Sequence, residues 1–198
     1  MLLTELNIRT FTGHMIKPYL SCIARLSVEV FREYPYFCDT YIEEEMEILK
    51  KYLLSEQSIA TIVFEGSKVI GAATGIPLQE EDLGIQQPFR VHQFDLSQYY
   101  HFGEALLLKA YRSRGVGHHF YEIREEHAKT LGFEHACFFM KDRQEDEELK
   151  PLDFYPLDDF WRKRGFTHHK ELTLSLKWKS FEEGTASEKD CSFWIKKL

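Results

Sequence analysis

The densest chemistry in this 198-residue sequence lies in one short run, Tyr111-Arg112-Ser113-Arg114-Gly115-Val116-Gly117-His118. It falls between a segment patterned as a strand and one patterned as an amphipathic helix. Two glycines at such a junction let the backbone approach a ligand closely. The first turn of the following helix adds N–H groups without intrahelical acceptors, at the positive end of the helix dipole. That combination binds phosphate. Lys109, Arg112 and Arg114 add positive charge, and no carboxylate occurs between residues 105 and 121. The Gly-Lys-Ser/Thr ending of a P-loop and the third glycine of a dinucleotide fingerprint are both missing, so a different pyrophosphate carrier is needed. The plain alternative is a solvated basic turn that uses glycine for its geometry.

A carboxylate lies just upstream. Phe102, Glu104, Leu106 and Leu108 alternate onto one strand face, where Glu104 is partly desolvated and could accept a proton from a substrate. It could equally be a structural carboxylate, paired with an arginine or exposed at the strand start. His118-His119 and His168-His169 have no partner at metal-ligand spacing and read as surface or packing histidines, with His118 also placed to neighbour a bound phosphate. The acidic run from 142 to 148 reads most simply as a solvated loop.

The elements that position these residues follow from periodicity. Residues 5 to 10 alternate as a strand, and Ile16, Leu20, Ile23, Ala24, Ser27 and Val28 recur at helical spacing up to Arg32. Tyr41 to Leu54 is a second helix with the acidic start Glu43-Glu44-Glu45. Ser58 to Glu65 and Lys68 to Ile76 form a hairpin across Gly66-Ser67. Pro77 to Gln98 loses periodicity and reads as a long functional loop over a site. Tyr99 to Lys109 is a strand, and Val116 to Leu131 is a helix ended by Gly132. Ala136 to Met140 is a strand, Leu157 to Lys163 a short helix ended by Gly165, and Leu172 to Trp178 a last strand. A domain over 1–180 is then followed by a tail over 181–198, in which a polar linker from Phe181 to Ser192 leads to the apolar knot Phe193-Trp194-Ile195. Those side chains are costly to leave in water, so the knot is expected to dock near an open sheet edge or on a second copy of the chain. The order implies an α+β fold, layered α/β/α, with helices on both faces of a mixed sheet.

Two stretches resemble the GNAT N-acetyltransferase superfamily. Its motif A, Arg/Gln-x-x-Gly-x-Gly/Ala, is met by Arg112, Gly115 and Gly117. Phe160-Trp161-Arg162-Lys163-Arg164-Gly165-Phe166 is similar to the end of its motif B, and the order of elements from residue 5 to 178 also matches. The resemblance implies a mostly antiparallel sheet with a splayed strand pair, at 99–109 and 136–140, that holds acetyl-coenzyme A. The pyrophosphate would sit on the amides of Ser113, Arg114, Gly115, Val116, Gly117 and His118. The pantetheine arm would run beside Leu106 and Leu107, one of whose N–H groups could stabilise a tetrahedral oxyanion. Glu104, eleven residues before the first motif glycine, matches a glutamate that some members use as general base. Tyr36, Tyr99 and Tyr100 could line the acceptor pocket. Trp161 stands where many members carry a tyrosine that protonates the departing thiolate, and Phe154 replaces an asparagine. Tyr155 or water could substitute as the acid. The implied activity is acetyl transfer to a primary amine within a ternary complex; the alternative is a non-catalytic acyl-coenzyme A binder.

Composition narrows the partners. The chain is 43% hydrophobic, enough to bury a sizeable core, and carries 25 basic against 32 acidic residues, a net −7 that disfavours nucleic acid. No apolar run approaches the roughly 20 residues that span a bilayer, and the amino end has no leader pattern, so a cytoplasmic monomer or homodimer without membrane contact is expected. Cys22, Cys38, Cys137 and Cys191 are too far apart in sequence for a local metal or redox pair, and read as reduced thiols, three of them in the core. No metal is expected; the partner is a small-molecule or peptide amine.

Overall fold

The computed structural model describes residues 6–142, 150–152, 154–181 and 183–198. The acidic run lies outside them apart from Asp142. Strand β1 (Asn7–Phe11) leads through a 3-10 segment containing Pro18 into α1 (Leu20–Phe31). Proline lacks the N–H the α-helical ladder requires, so the expected helix starts after it. The second expected helix divides into α2 (Ile42–Leu49) and α3 (Lys51–Leu54). Strands β2 (Ile59–Glu65) and β3 (Lys68–Pro77) form the expected hairpin, with Gly66 at φ +59° in the turn.

Residues 77–98 depart from the expected loop. They hold α4 (Leu83–Val91), flanked by 3-10 turns at 78–80 and 96–98. Pro88 lies inside α4, which is why local pattern misses it. Burial of Ile85 and Phe89 against the sheet holds the helix, and the Gln86 amide donates to the carbonyls of Gln79 and Glu81.

Next come β4 (Tyr99–Leu107), α5 (Val116–Thr130), β5 (His135–Lys141), α6 (Asp158–Lys163), β6 (Thr167–Trp178) and β7 (Ser187–Lys197). Both α5 and α6 close in a Schellman turn on a left-handed glycine. Gly132 (φ +88°) bonds Lys129 while Phe133 bonds Ala128, and Gly165 (φ +89°) bonds Arg162 while Phe166 bonds Trp161.

Among the described residues, seven strands form one sheet in the order β1-β2-β3-β4-β5-β7-β6. Every neighbouring pair is antiparallel except β4–β5. Adjacent residues sort its two faces. Tyr99 packs on Phe89 of α4 while Tyr100 meets His127 of α5; Phe193 packs on Phe89 while Trp194 packs on Trp161 of α6. One face is thus covered by α1 to α4 and the other by α5 and α6, which is the expected layered α+β architecture.

The tail corrects the sequence reading. Phe193-Trp194-Ile195 is neither a docked knot nor the end of a linker, because β7 inserts between β5 and β6 and pairs with both. A strand buried on both faces reads as a continuous apolar run. Of the polar residues before it, those from Ser187 onward belong to the same strand, with Glu188 and Asp190 exposed and Lys189 and Ser192 buried. Of the four cysteines two are buried, Cys137 and Cys191, while Cys22 and Cys38 are half-buried.

Candidate cofactor cleft and active site

β4 and β5 pair only from Tyr99 to His101 against His135 to Cys137, although β4 continues to Leu107 and β5 to Lys141. Beyond that point the β4 edge that faces β5 carries no strand pairing. Backbone groups near Leu106 and Leu107 lie along this open edge, held from the other side by Ala72 and Gly71 of β3. The gap leads to the start of α5. Gly115, at φ +85°, is the N-cap and supplies no side-chain cap, so the first-turn amides at Val116 and Gly117 keep their donors. Ser113 also adopts a left-handed backbone, at φ +60°. A Cβ added to Gly117 would meet nothing within 4 Å, so its surroundings are open space.

Arg112 differs from the sequence picture of a free phosphate ligand. Its Nη1 and Nη2 donate to both carboxylate oxygens of Glu33, at 2.5 and 2.9 Å, and its Nε donates to the Leu107 carbonyl at 2.9 Å. Glu33, just beyond α1, is the carboxylate that the local sequence lacks. Arg112 therefore fastens the loop and has its charge balanced. Arg114 lies over the Tyr111 ring at 5.5 Å, and Tyr111 donates to Glu65. The His118 ring meets Phe160 edge-on, and its Nδ1 accepts from Arg164 at 3.3 Å.

Glu104 sits in a β-bulge. Gly75 opposes Phe102 and Ala73 opposes Ala105, so Thr74 alone faces both Gly103 and Glu104. The extra residue reverses the alternation. Phe102 packs on Tyr121 and Arg124 of α5, whereas Glu104 turns to the opposite face beside Thr74 and Tyr52, which corrects the expected shared face. The Thr74 hydroxyl accepts from the Glu104 N–H at 2.9 Å and donates to Glu104 Oε2. From the α5 side, Arg124 reaches the carbonyls of Thr74 and Glu104 at 3.2 and 3.5 Å.

A charged cluster that no spacing announces lies on the Glu104 face. His101 Nδ1 donates to Glu81 Oε1 at 2.8 Å, and Lys51 Nζ reaches Glu81 Oε2 at 2.6 Å. Burial alone would raise the Glu81 pKa; His101 and Lys51 overcome it and hold the carboxyl at about 2. Burial, with Glu104 and Glu81 nearby, pushes the Tyr52 phenol well up. Sequence reasoning missed Lys51, Tyr52, Thr74, Glu81 and Arg124. They come from four separate places in the chain, and one of these, at Glu81, lies in the segment whose lost periodicity reads as loop.

The remaining expected site residues do not all converge. Tyr36 lies where the loop after α1 crosses the free part of β5, donating to Met140 Sδ at 3.2 Å. Tyr99 and Tyr100 sit instead at the closed end of the β4–β5 pair, on opposite faces, and Tyr100 donates to the Gln57 carbonyl at 2.8 Å. They do not form one pocket with Tyr36, because alternation sends neighbouring side chains to opposite faces. Trp161 is buried against Phe138 and Trp194, and Tyr155 is 86% exposed in the loop before α6. Among the described residues no group of His, Cys, Asp and Glu could hold a metal ion, and no helix is long and apolar enough to cross a membrane.

No protein-family model matches the sequence, and no curated protein matches it. Solved structures do. A ribosomal-protein-alanine N-acetyltransferase from Brucella melitensis superposes with a TM-score of 0.61 at 14% identity, over 97% of this chain and 99% of the other. An acetyltransferase of the GNAT family from Streptococcus pneumoniae gives 0.57 at 16%, over 98% and 100%. The PaiA N-acetyltransferase from Thermoplasma acidophilum, solved with coenzyme A, gives 0.56 at 14%, over 98% and 99%. With the parallel pair splayed in mid-sheet and the glycine turn entering α5, the chain has the fold of the GNAT acetyltransferases.

Proposed function

We propose that the chain is an acetyl-coenzyme A-dependent N-acetyltransferase that acts on a primary amine by direct attack in a ternary complex. The observation that carries the reading is the abrupt end of β4–β5 pairing at His101, followed along β4 by the uncapped start of α5. The residues fit such a donor. Open space at Gly117 admits phosphate to the first-turn amides, and the unpaired β4 edge offers backbone groups to an extended arm that carries amides of its own. The His118 N–H donates to the Gly115 carbonyl at 3.0 Å, so of the expected amides those of residues 113 to 117 would hold the pyrophosphate, with His118 beside it, and the backbone at Leu106 and Leu107 would hold the pantetheine. Acetyl-coenzyme A supplies the acyl group as a thioester.

The chain's own part is positioning, proton removal and charge stabilisation. Glu104 keeps Oε2 on Thr74, which leaves Oε1 to take the proton of the attacking amine, directly or through water. An N–H of Leu106 or Leu107 would face the oxygen on which negative charge develops. Water or the exposed Tyr155 would return the proton to the thiolate. Because Trp161 is buried and has no acid to offer, the second reading is an acyl-coenzyme A binder without turnover. Calorimetry with acetyl-coenzyme A, joined to a thiol-release assay over a panel of amines, separates the two. Amine-dependent release supports the enzyme, binding without release supports the binder, and no binding rejects both.

A further inference from the structure

Arg124 of α5 is one of the largest fully buried side chains of the molecule, 1% exposed, and its guanidinium is a permanent cation. Among the described residues no carboxylate lies within ion-pair distance of it. Its Nε donates to the Phe120 carbonyl at 2.9 Å, its Nη1 reaches the Thr74 and Glu104 carbonyls, and its buried Nη2 has no acceptor. The Phe102 and Tyr121 rings lie 4.4 and 4.9 Å from the guanidinium carbon. A lone cation among rings is a costly thing for a core to hold. Tying the bulge does not require the charge, because a neutral amide can donate to the same carbonyls.

The charge has a use across the sheet. Glu104 turns its carboxylate to the opposite face, where Glu45 of α2 is a second buried carboxylate within electrostatic reach; burial, with Glu104 nearby, pushes the Glu45 carboxyl up. Neighbouring carboxylates oppose each other's ionisation. Tyr52 of α3 and Thr74 of β3 bring uncharged hydroxyls to the same place. Lys51 of α3 and Arg124 both act on Glu104, but Lys51 is bound to Glu81 at 2.6 Å. Of the two cations, Arg124 is therefore the one with no carboxylate of its own. We infer that Arg124 is a positioning residue for the reaction: through the bulge it fixes the backbone of Glu104, and through its unpaired charge it offsets burial and Glu45, so that the Glu104 carboxylate stays ionised to take a proton. The inference rests on the proposed role of Glu104 as base.

Carboxyl-carbon NMR of the full chain without ligand, with the Glu104 signal assigned through Glu104→Gln, reads the charge effect directly. Arg124→Gln keeps an amide for the two carbonyls and removes the charge, so the Glu104 titration is expected to move up by about half a pH unit or more. Arg124→Met, which packs on the same rings, gives the same reading if Arg124→Gln does not fold. Glu45→Gln added to either variant should bring the titration back down, since one charge of each sign is then gone. A titration that the loss of Arg124 leaves in place, or that Glu45→Gln does not bring back, overturns the inference and leaves the donor reading intact. With acetyl-coenzyme A and an amine that releases thiol, the acid limb of the kcat profile should move up in step, at unchanged KM for the donor. A limb that stays while the carboxyl moves overturns Glu104 as base, and absence of turnover in the unaltered chain overturns the proposed activity; in both cases Arg124 loses its part in the reaction.

Discussion

Thr74 holds Glu104 at two points, accepting from its backbone N–H at 2.9 Å and donating to its Oε2 through the same hydroxyl. One side chain thereby stabilises the bulge and orients the carboxylate that the bulge exposes. Glu104→Gln keeps the shape but removes the proton acceptor. Turnover is expected to fall by roughly 10² or more with donor affinity unchanged. Thr74→Val should give a smaller loss of turnover, since the base remains and only its aim is relaxed. Steady-state kinetics beside calorimetry checks both, and full activity of Glu104→Gln would return Glu104 to a structural role.

Gly117 gives the cleanest test of the proposed phosphate site. Its surroundings are open, so Gly117→Val does not collide with the protein, whereas Gly115 at φ +85° would be strained by any side chain. Acetyl-coenzyme A binding to Gly117→Val is expected to weaken at least tenfold, ~1.4 kcal/mol, at unchanged melting temperature. Unchanged affinity in the folded variant would remove the α5 turn from the site.

The Arg112–Glu33 pair separates support from contact. If Arg112 acts only by fastening the loop, Glu33→Gln and Arg112→Met should weaken donor binding equally, by a few-fold. The double variant should then be no worse than either alone. Arg112→Lys should not restore affinity, because an ammonium cannot make the bidentate contact. A much larger loss for Arg112→Met than for Glu33→Gln would mean that the guanidinium touches phosphate.

Glu81 makes stability depend on acid. Its carboxyl titrates at about 2 in the folded chain against 4.5 for an ordinary glutamate, so the unfolded state binds the proton first. The contribution, on the order of 3 kcal/mol, is present above about pH 4.5 and is lost as pH falls through 2. Glu81→Gln should lower stability at pH 7, leaving Lys51 and His101 without their shared anion, and should flatten the acid limb. Urea unfolding from pH 7 to 3 in both proteins measures the difference; parallel curves would contradict it.

Phe193 is fully buried in β7, packed on Phe89 and Phe139. Phe193→Ala should cost about 3–5 kcal/mol, read by denaturant unfolding. A loss below 1 kcal/mol would be incompatible with a mid-sheet strand.

Several features of this chain are decided within a few residues, and the sequence determined them. The Gly66-Ser67 turn, the left-handed glycines at 132 and 165 and the Arg112-to-Gly117 run announce themselves because turn chemistry and helix capping are local. With the order of strands and helices, these were enough to indicate the fold class and the glycine turn that opens α5. Tertiary structure decided everything that depends on which distant segments become neighbours. The bulge at Thr74 reversed the face of Glu104, although alternation alone had put it with Phe102. Glu33 arrived from the end of α1 to occupy Arg112. Residues 187–197 became an inner strand because β5 and β6 offered backbone partners on both sides, which no tail can foresee from its own composition. The Lys51–Glu81–His101 cluster has the same origin. Each residue is unremarked in its own segment, and the cost of burying charge that draws them together exists only once the sheet and α4 have excluded water.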